Sequence, residues 1–186
     1  MIPKEDEAKA LWDKYELPEQ KRIHVGLVAK VAVFFANELR RKNNELRINT
    51  ELLNAAALLH DIDKHIPKLP GESHPDAGVR VLREEGMEDV AELVRTHPVH
   101  SILDPVIAPK TIEQKLLFLS DKMVKFEVLT VDKRFALWNA EHLPQKDQEI
   151  LDRAYPKVKA LEKEIFDTIG LRPEEVAGIL KKSILG

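Results

Sequence analysis

Leu52–His65 reads LLNAAALLHDIDKH, and the reading of this stretch decides the fold. From Leu52 to Leu59 the one polar residue is Asn54. Helix formers dominate the run, and a helix that is apolar all round is normally buried. His60 and Asp61 then arrive side by side at its inner end. An isolated charge in that position would be very costly. Metal coordination is one of the few arrangements that makes such a buried pair tolerable, provided that other ligands reach it.

The remaining sequence is helical in pattern, with no stretch that alternates as a strand. A first short helix is expected over residues 5–16, with Ala8, Leu11, Trp12 and Tyr15 on one side. Pro18 suits the first turn of the next helix, which runs to about Arg41 with Ile23, Leu27, Val31, Phe34, Phe35 and Leu39 as its apolar stripe. Asn49 or Thr50 caps the central helix, which is expected to stop near Ile66 because Pro67 disfavours helix in the residue before it. Ser73 and Asp76 are spaced as a capping arrangement, which places His74 in the first turn of the following helix. Val79, Val81 and Leu82 face inward there, and Gly86 ends it. The next helix carries Val90, Leu93, Val94 and His97 before Pro98. Thr111 and Gln114 form a capping box for a helix through about Val128, which puts Asp121 on an inner stripe. Residues 131–140 form a short helix. An amphipathic helix from Gln145 meets a kink or a new start at Pro156 and closes at Gly170. Pro173 opens a last helix with Val176, Ile179, Leu180 and Ile184. The expected fold is an all-α helical bundle in a single domain over 1–186. Its motif core covers about 18–128, and the helices of 130–186 complete it.

Composition narrows the function. The chain has 186 residues, 44% hydrophobic and 33% charged, as a soluble globular protein does. A formal charge of −3 gives no reason to expect nucleic-acid binding. No cysteine is present, so disulfides, thiolate metal sites and cysteine nucleophiles are excluded. No signal-peptide pattern or membrane span is visible, so the expected location is cytoplasmic.

His24, His60 with Asp61, and Asp121 are inward-facing polar residues on three helices, and His74 and His97 flank the helices between them. Singly, each reads as a hydrogen-bonded core residue or a cap. Together they would all need separate partners, and facing helices of a bundle can instead gather such side chains around a metal. Imidazole and carboxylate ligands suit Mn²⁺, Fe²⁺, Co²⁺, Ni²⁺ or Zn²⁺, with Mg²⁺ a further candidate. His65 is expected to be exposed, His100 is either a ligand or a pocket residue, and His142 belongs to the surface.

The order H…HD…H…H…D, with the tract LLHDIDKH, resembles the HD-domain superfamily of metal-dependent phosphohydrolases, in particular its HDIG-type members. The likeness runs from His24 to Asp121 and includes SHPDAGVRVLREEGMEDVAELVRTH. It implies that His24, His60, Asp61 and Asp121 hold one divalent metal. His74 and His97 match the extra histidines of the members that hold a second metal, with Asp61 as the bridging and catalytic carboxylate, so that one or two ions are expected. Lys64 matches a lysine that contacts the substrate phosphate or the attacking water. One departure is visible, since the frequent HDIGK reads HDIDK here, with Asp63 in place of glycine. Asp63 is expected to leave the geometry intact or to add negative charge beside the metals. Lys68 and Arg80 join Lys64 as substrate-binding candidates because they are close in sequence to His60 and His74.

The resemblance implies a phosphohydrolase acting on a nucleotide or similar small phosphorylated molecule. PVHSILDP lacks the GYP signature of cyclic-di-GMP phosphodiesterases. Dinucleoside polyphosphate hydrolases remain an alternative, although they carry HDYAK and a longer gap than the 12 residues between Asp61 and His74. A nucleotide-sensing module without turnover is another. The apolar faces after residue 145 suit either core packing or a homodimer contact.

Overall fold

The computed structural model describes residues 1–185, and the side chains of residues 1–180. Its helices, in chain order, are α1 (Glu5–Lys14), α2 (Glu19–Lys42), α3 (Thr50–Leu59), α4 (Asp76–Glu84), α5 (Glu88–Arg95), α6 (Ile112–Lys122), α7 (Val131–Asn139), α8 (Gln145–Ile169) and α9 (Pro173–Leu185). Short 3-10 turns cover Ile62–Lys64 and Val99–Leu103. Among the described residues there is no strand, and one isolated bridge joins Val124 to Val128. No helix there is long and apolar enough to cross a membrane. The fold is all-α, as the periodicity indicated.

α3 is the apolar run. The Asn49 side chain accepts a hydrogen bond from the Leu52 amide at 3.0 Å, satisfying one of the orphan donors of its first turn. Leu53, Ala55, Ala56, Ala57, Leu58 and Leu59 are buried, and each buried leucine contributes about 1.5–3 kcal/mol over exposure. α3 packs on α1, α2, α5 and α6. Trp12 fixes α1 to it by donating its indole N–H to the Leu58 carbonyl at 2.8 Å. α8 lies against α2, α6, α7 and the 99–103 turn. Apolar side chains from all nine helices share one buried cluster.

Several expected boundaries move. α3 ends at Leu59, short of Ile66, and the chain turns tightly through Ile62–Lys64. α6 ends at Lys122, short of Val128, because residues 123–129 fold back on themselves, with the Leu129 amide donating to the Met123 carbonyl at 2.7 Å. His74 precedes α4, and His97 follows α5, so both stand on connections. α8 is continuous through Pro156, which sits on its exposed face, where the carbonyl that the missing N–H leaves free is open to solvent rather than buried. α2 buries Val25, Val28, Ala32 and Phe35, whereas Ile23 is exposed and Leu27 and Phe34 are half-buried. Those three line a groove of about 920 Å³ that contains no histidine. On α9, Val176 and Leu180 are buried, and Ile184 lies outside the described side chains.

Candidate metal centre

The turn after α3 is what aims the central pair. His60 donates from Nδ1 to the Ala57 carbonyl at 2.8 Å, which leaves the Nε2 lone pair pointing away from its own helix. The other three histidines are held in the same sense. His24 donates from Nδ1 to the Lys125 carbonyl at 3.2 Å, and His97 from Nδ1 to the Val94 carbonyl at 2.6 Å. His74 donates from Nδ1 to the Asp63 carboxylate at 2.9 Å. With each Nδ1 engaged, four Nε2 atoms are turned inward.

They meet in two adjoining groups. His24 Nε2 and His60 Nε2 are 3.3 Å apart, and Asp121 Oδ1 lies 3.1 Å and 3.5 Å from them. His74 Nε2 and His97 Nε2 are 2.9 Å apart, with Asp61 Oδ1 at 3.6 Å from His74 Nε2. The rings of His60 and His97 touch edge-on, with centroids 4.8 Å apart, and so join the two groups. All six expected ligands, on α2, α3 and α6 and the connections around them, are therefore together. His24, His60, Asp61 and His97 are all buried.

Facing nitrogens at such distances need either a shared proton or a cation between them, and the donor set of imidazoles and carboxylates fits a divalent transition metal. His24, His60 and Asp121 form one set of ligand atoms close enough to share an ion, and His60, Asp61 and His97 form another. Anchoring each ligand's second nitrogen on a carbonyl or carboxylate is the usual way proteins orient metal-binding histidines.

The charges agree with this. Burial and then the neighbouring His74 and His60 push His97 well below the ordinary imidazole range, keeping it a neutral donor. Burial would raise both carboxyls, but the cations outweigh it. His60, Lys64 and Lys21 hold Asp61 well below the usual carboxylate range, and Lys122 with His24 and His60 does the same for Asp121. Burial also disfavours a charged His60, yet the Asp121 hydrogen bond and the Asp61 charge prevail and raise its pKa. The cluster attracts positive charge.

It opens into a cavity of about 630 Å³ lined by residues of α2, α6, α7 and their loops. Lys64 lines it and donates to Asp61 Oδ1 at 2.9 Å. Lys68 and Arg80 do not reach it. Lys68 is exposed on the loop before Ser73, and Arg80 is held by Glu72 at 2.7 Å and the Pro67 carbonyl at 3.2 Å. These two substrate-binding assignments are corrected, because Lys68 stands in solvent and Arg80 is turned away from the cavity by partners on the loop before α4. His65 is exposed at the cavity rim, while His100 and His142 are exposed elsewhere.

Lys21, Lys122 and Arg134 escaped the sequence reading, as did the way in which Asp63 acts. Asp63 is buried and supports His74. Lys21 donates to Asp61 Oδ2 at 2.8 Å, and Lys122, 1% exposed, bridges Asp121 Oδ2 and the His97 carbonyl. Lys21, three residues before His24 on the same helix face, was open to discovery by helical spacing. Lys122 was hidden by its adjacency to Asp121, and Arg134, on α7, carries no local signal at all.

A family model described as HD domain matches residues 22–124. No curated protein and no solved structure matches the chain.

Proposed function

We propose that this chain, which belongs to the HD-domain family, is a metal-dependent phosphohydrolase that cleaves a phosphate ester or anhydride of a nucleotide or similar small molecule. The observation that carries the reading is the inward convergence of four Nε2 atoms on Asp61 and Asp121. Membership of the family supports hydrolysis as the use made of that convergence. His24, His60, Asp61 and Asp121 would hold one ion, and Asp61, His74 and His97 a second. A divalent metal bound there supplies Lewis acidity and lowers the pKa of water.

The chain's own groups supply the rest. Asp61, between the two imidazole groups, is the catalytic carboxylate, with Lys21 and Lys64 on its two oxygens. The Lys64 ammonium borders the cavity and would neutralise charge developing on phosphoryl oxygens. Residues of α2 and α7 wall the cavity around it.

A screen of nucleotides and sugar phosphates, with Mn²⁺, Fe²⁺, Co²⁺, Ni²⁺ and Mg²⁺ supplied in turn, tests the proposal. Metal-dependent phosphate release that is abolished in Asp61→Ala supports it. Full activity in Asp61→Ala contradicts it. Tight nucleotide binding without turnover by the metal-loaded protein would replace it with a sensing role.

A further inference from the structure

Arg134 stands on α7, beyond the 22–124 span that matches the family model, yet it lines the same cavity as His24, Asp61 and Asp121. Its guanidinium carbon lies 4.0 Å from the centroid of the Trp138 ring, one helical turn further along. That contact holds the guanidinium against the ring. Both Nε and Nη1 are enclosed, and neither has a hydrogen-bond partner.

The acids nearby are already taken. Glu141, on the same wall, accepts from Lys125 at 3.0 Å. Asp121 is paired with Lys122, and Asp61 with Lys21 and Lys64. Five cationic side chains and three carboxylates line the cavity, so an entering anion is what would balance it. Two enclosed guanidinium nitrogens without a hydrogen-bond partner are expensive to keep. An anion entering the cavity would supply the partner that these two nitrogens lack.

We propose that Arg134 is a substrate-binding residue whose planar guanidinium takes a phosphate group in the cavity it shares with the histidine cluster. A planar, bidentate cation suits a tetrahedral oxyanion better than an ammonium does. The role as substrate contact rests on the phosphohydrolase reading, whereas the anion site itself stands on the cavity geometry. It assigns to the C-terminal third of the chain a share in selecting phosphorylated compounds.

Calorimetric titration of inorganic phosphate into the Mn²⁺-loaded full chain and into the chelator-treated chain tests this, in wild type, Arg134→Lys and Arg134→Gln. Arg134→Gln is expected to weaken phosphate binding about tenfold or more, as loss of charge-assisted hydrogen bonds does. Arg134→Lys should fall between, since an ammonium keeps the charge but not the fork. Metal stoichiometry should be unchanged in both, which a folding defect would not allow. Absence of phosphate binding by wild type, or equal affinity in wild type and Arg134→Gln, overturns the proposal. If no metal is held but phosphate binding still depends on Arg134, the anion site stands and the hydrolase reading fails. If metal and hydrolysis are intact while Arg134→Gln binds phosphate as wild type does, only the anion site fails.

Discussion

His74 Nδ1 lies 2.9 Å and 3.0 Å from the two carboxylate oxygens of Asp63, a residue only 2% exposed. Asp63 occupies the place where the resembling tract has glycine. It supplies the carboxylate that fixes the tautomer of His74 and directs Nε2 towards His97. Gly78 of α4 packs over it, where an added Cβ would stand 3.4 Å from the Asp63 Cβ and the Ile62 Cγ2. The extra charge is thus spent on holding one imidazole. Asp63→Ala is expected to weaken metal affinity by about 10–100-fold, the usual cost of losing such a support. Asp63→Asn, which keeps an acceptor, should lose less. Competition against a chromophoric chelator measures both, and wild-type affinity in Asp63→Ala would show that His74 is oriented by something else.

Lys122 is a buried cation that donates to the Asp121 carboxylate and the His97 carbonyl and lies 4.4 Å from the centroid of the Phe118 ring. Burial lowers its pKa and Asp121 opposes that shift. Lys122→Met removes the cation and leaves Asp121 without it, and breaking a buried pair on one side costs about 3–5 kcal/mol. Thermal unfolding of the metal-free protein should show this loss. A variant as stable as wild type would mean that Asp121 finds an equivalent partner in the histidines.

Acid should destabilise the metal-free protein in a specific window. Asp61 and Asp121 have folded-state pKa values well below the ordinary 3.8, so the unfolded chain takes up protons first as pH falls. The stability they contribute is present above 3.8 and is lost as pH falls towards their folded-state values. His97 is pushed below 6.5 and costs stability as pH falls through that value, whereas His60 is raised and contributes stability there. The two oppose each other, so the main loss is expected below about pH 4. Calorimetric scans of chelator-treated protein between neutral and acid pH check this. An unfolding temperature unchanged down to pH 3 would contradict it.

What could be read from the sequence was what local chemistry decides. The Asn49 cap and the Thr111–Gln114 capping box are both present, because each is settled within four residues. His24, His60, Asp61 and Asp121 were legible as polar exceptions on or at the end of apolar stripes, whereas His74 and His97, on connections, were picked out by the resemblance. Helix ends at Leu59 and Lys122 were overrun, since the turns that end them serve the cluster and are fixed by contacts distant in sequence. Arg80 misled for a related reason. Nearness in sequence to His74 says nothing about the Glu72 carboxylate that holds it away. Arg134 and Trp138 form an i, i+4 pair of a common kind, and only the fold carries them to the cavity.

The central claim is that the four inward Nε2 atoms and two carboxylates hold a divalent metal. Metal analysis after chelation, reconstitution with Mn²⁺, Fe²⁺, Co²⁺, Ni²⁺ or Zn²⁺, and removal of excess ion tests it most directly. The expected result is about one or two tightly held equivalents per chain, falling by about one in Asp61→Ala. Less than about 0.5 equivalents of every metal would contradict the account and leave the histidine cluster a hydrogen-bonded core.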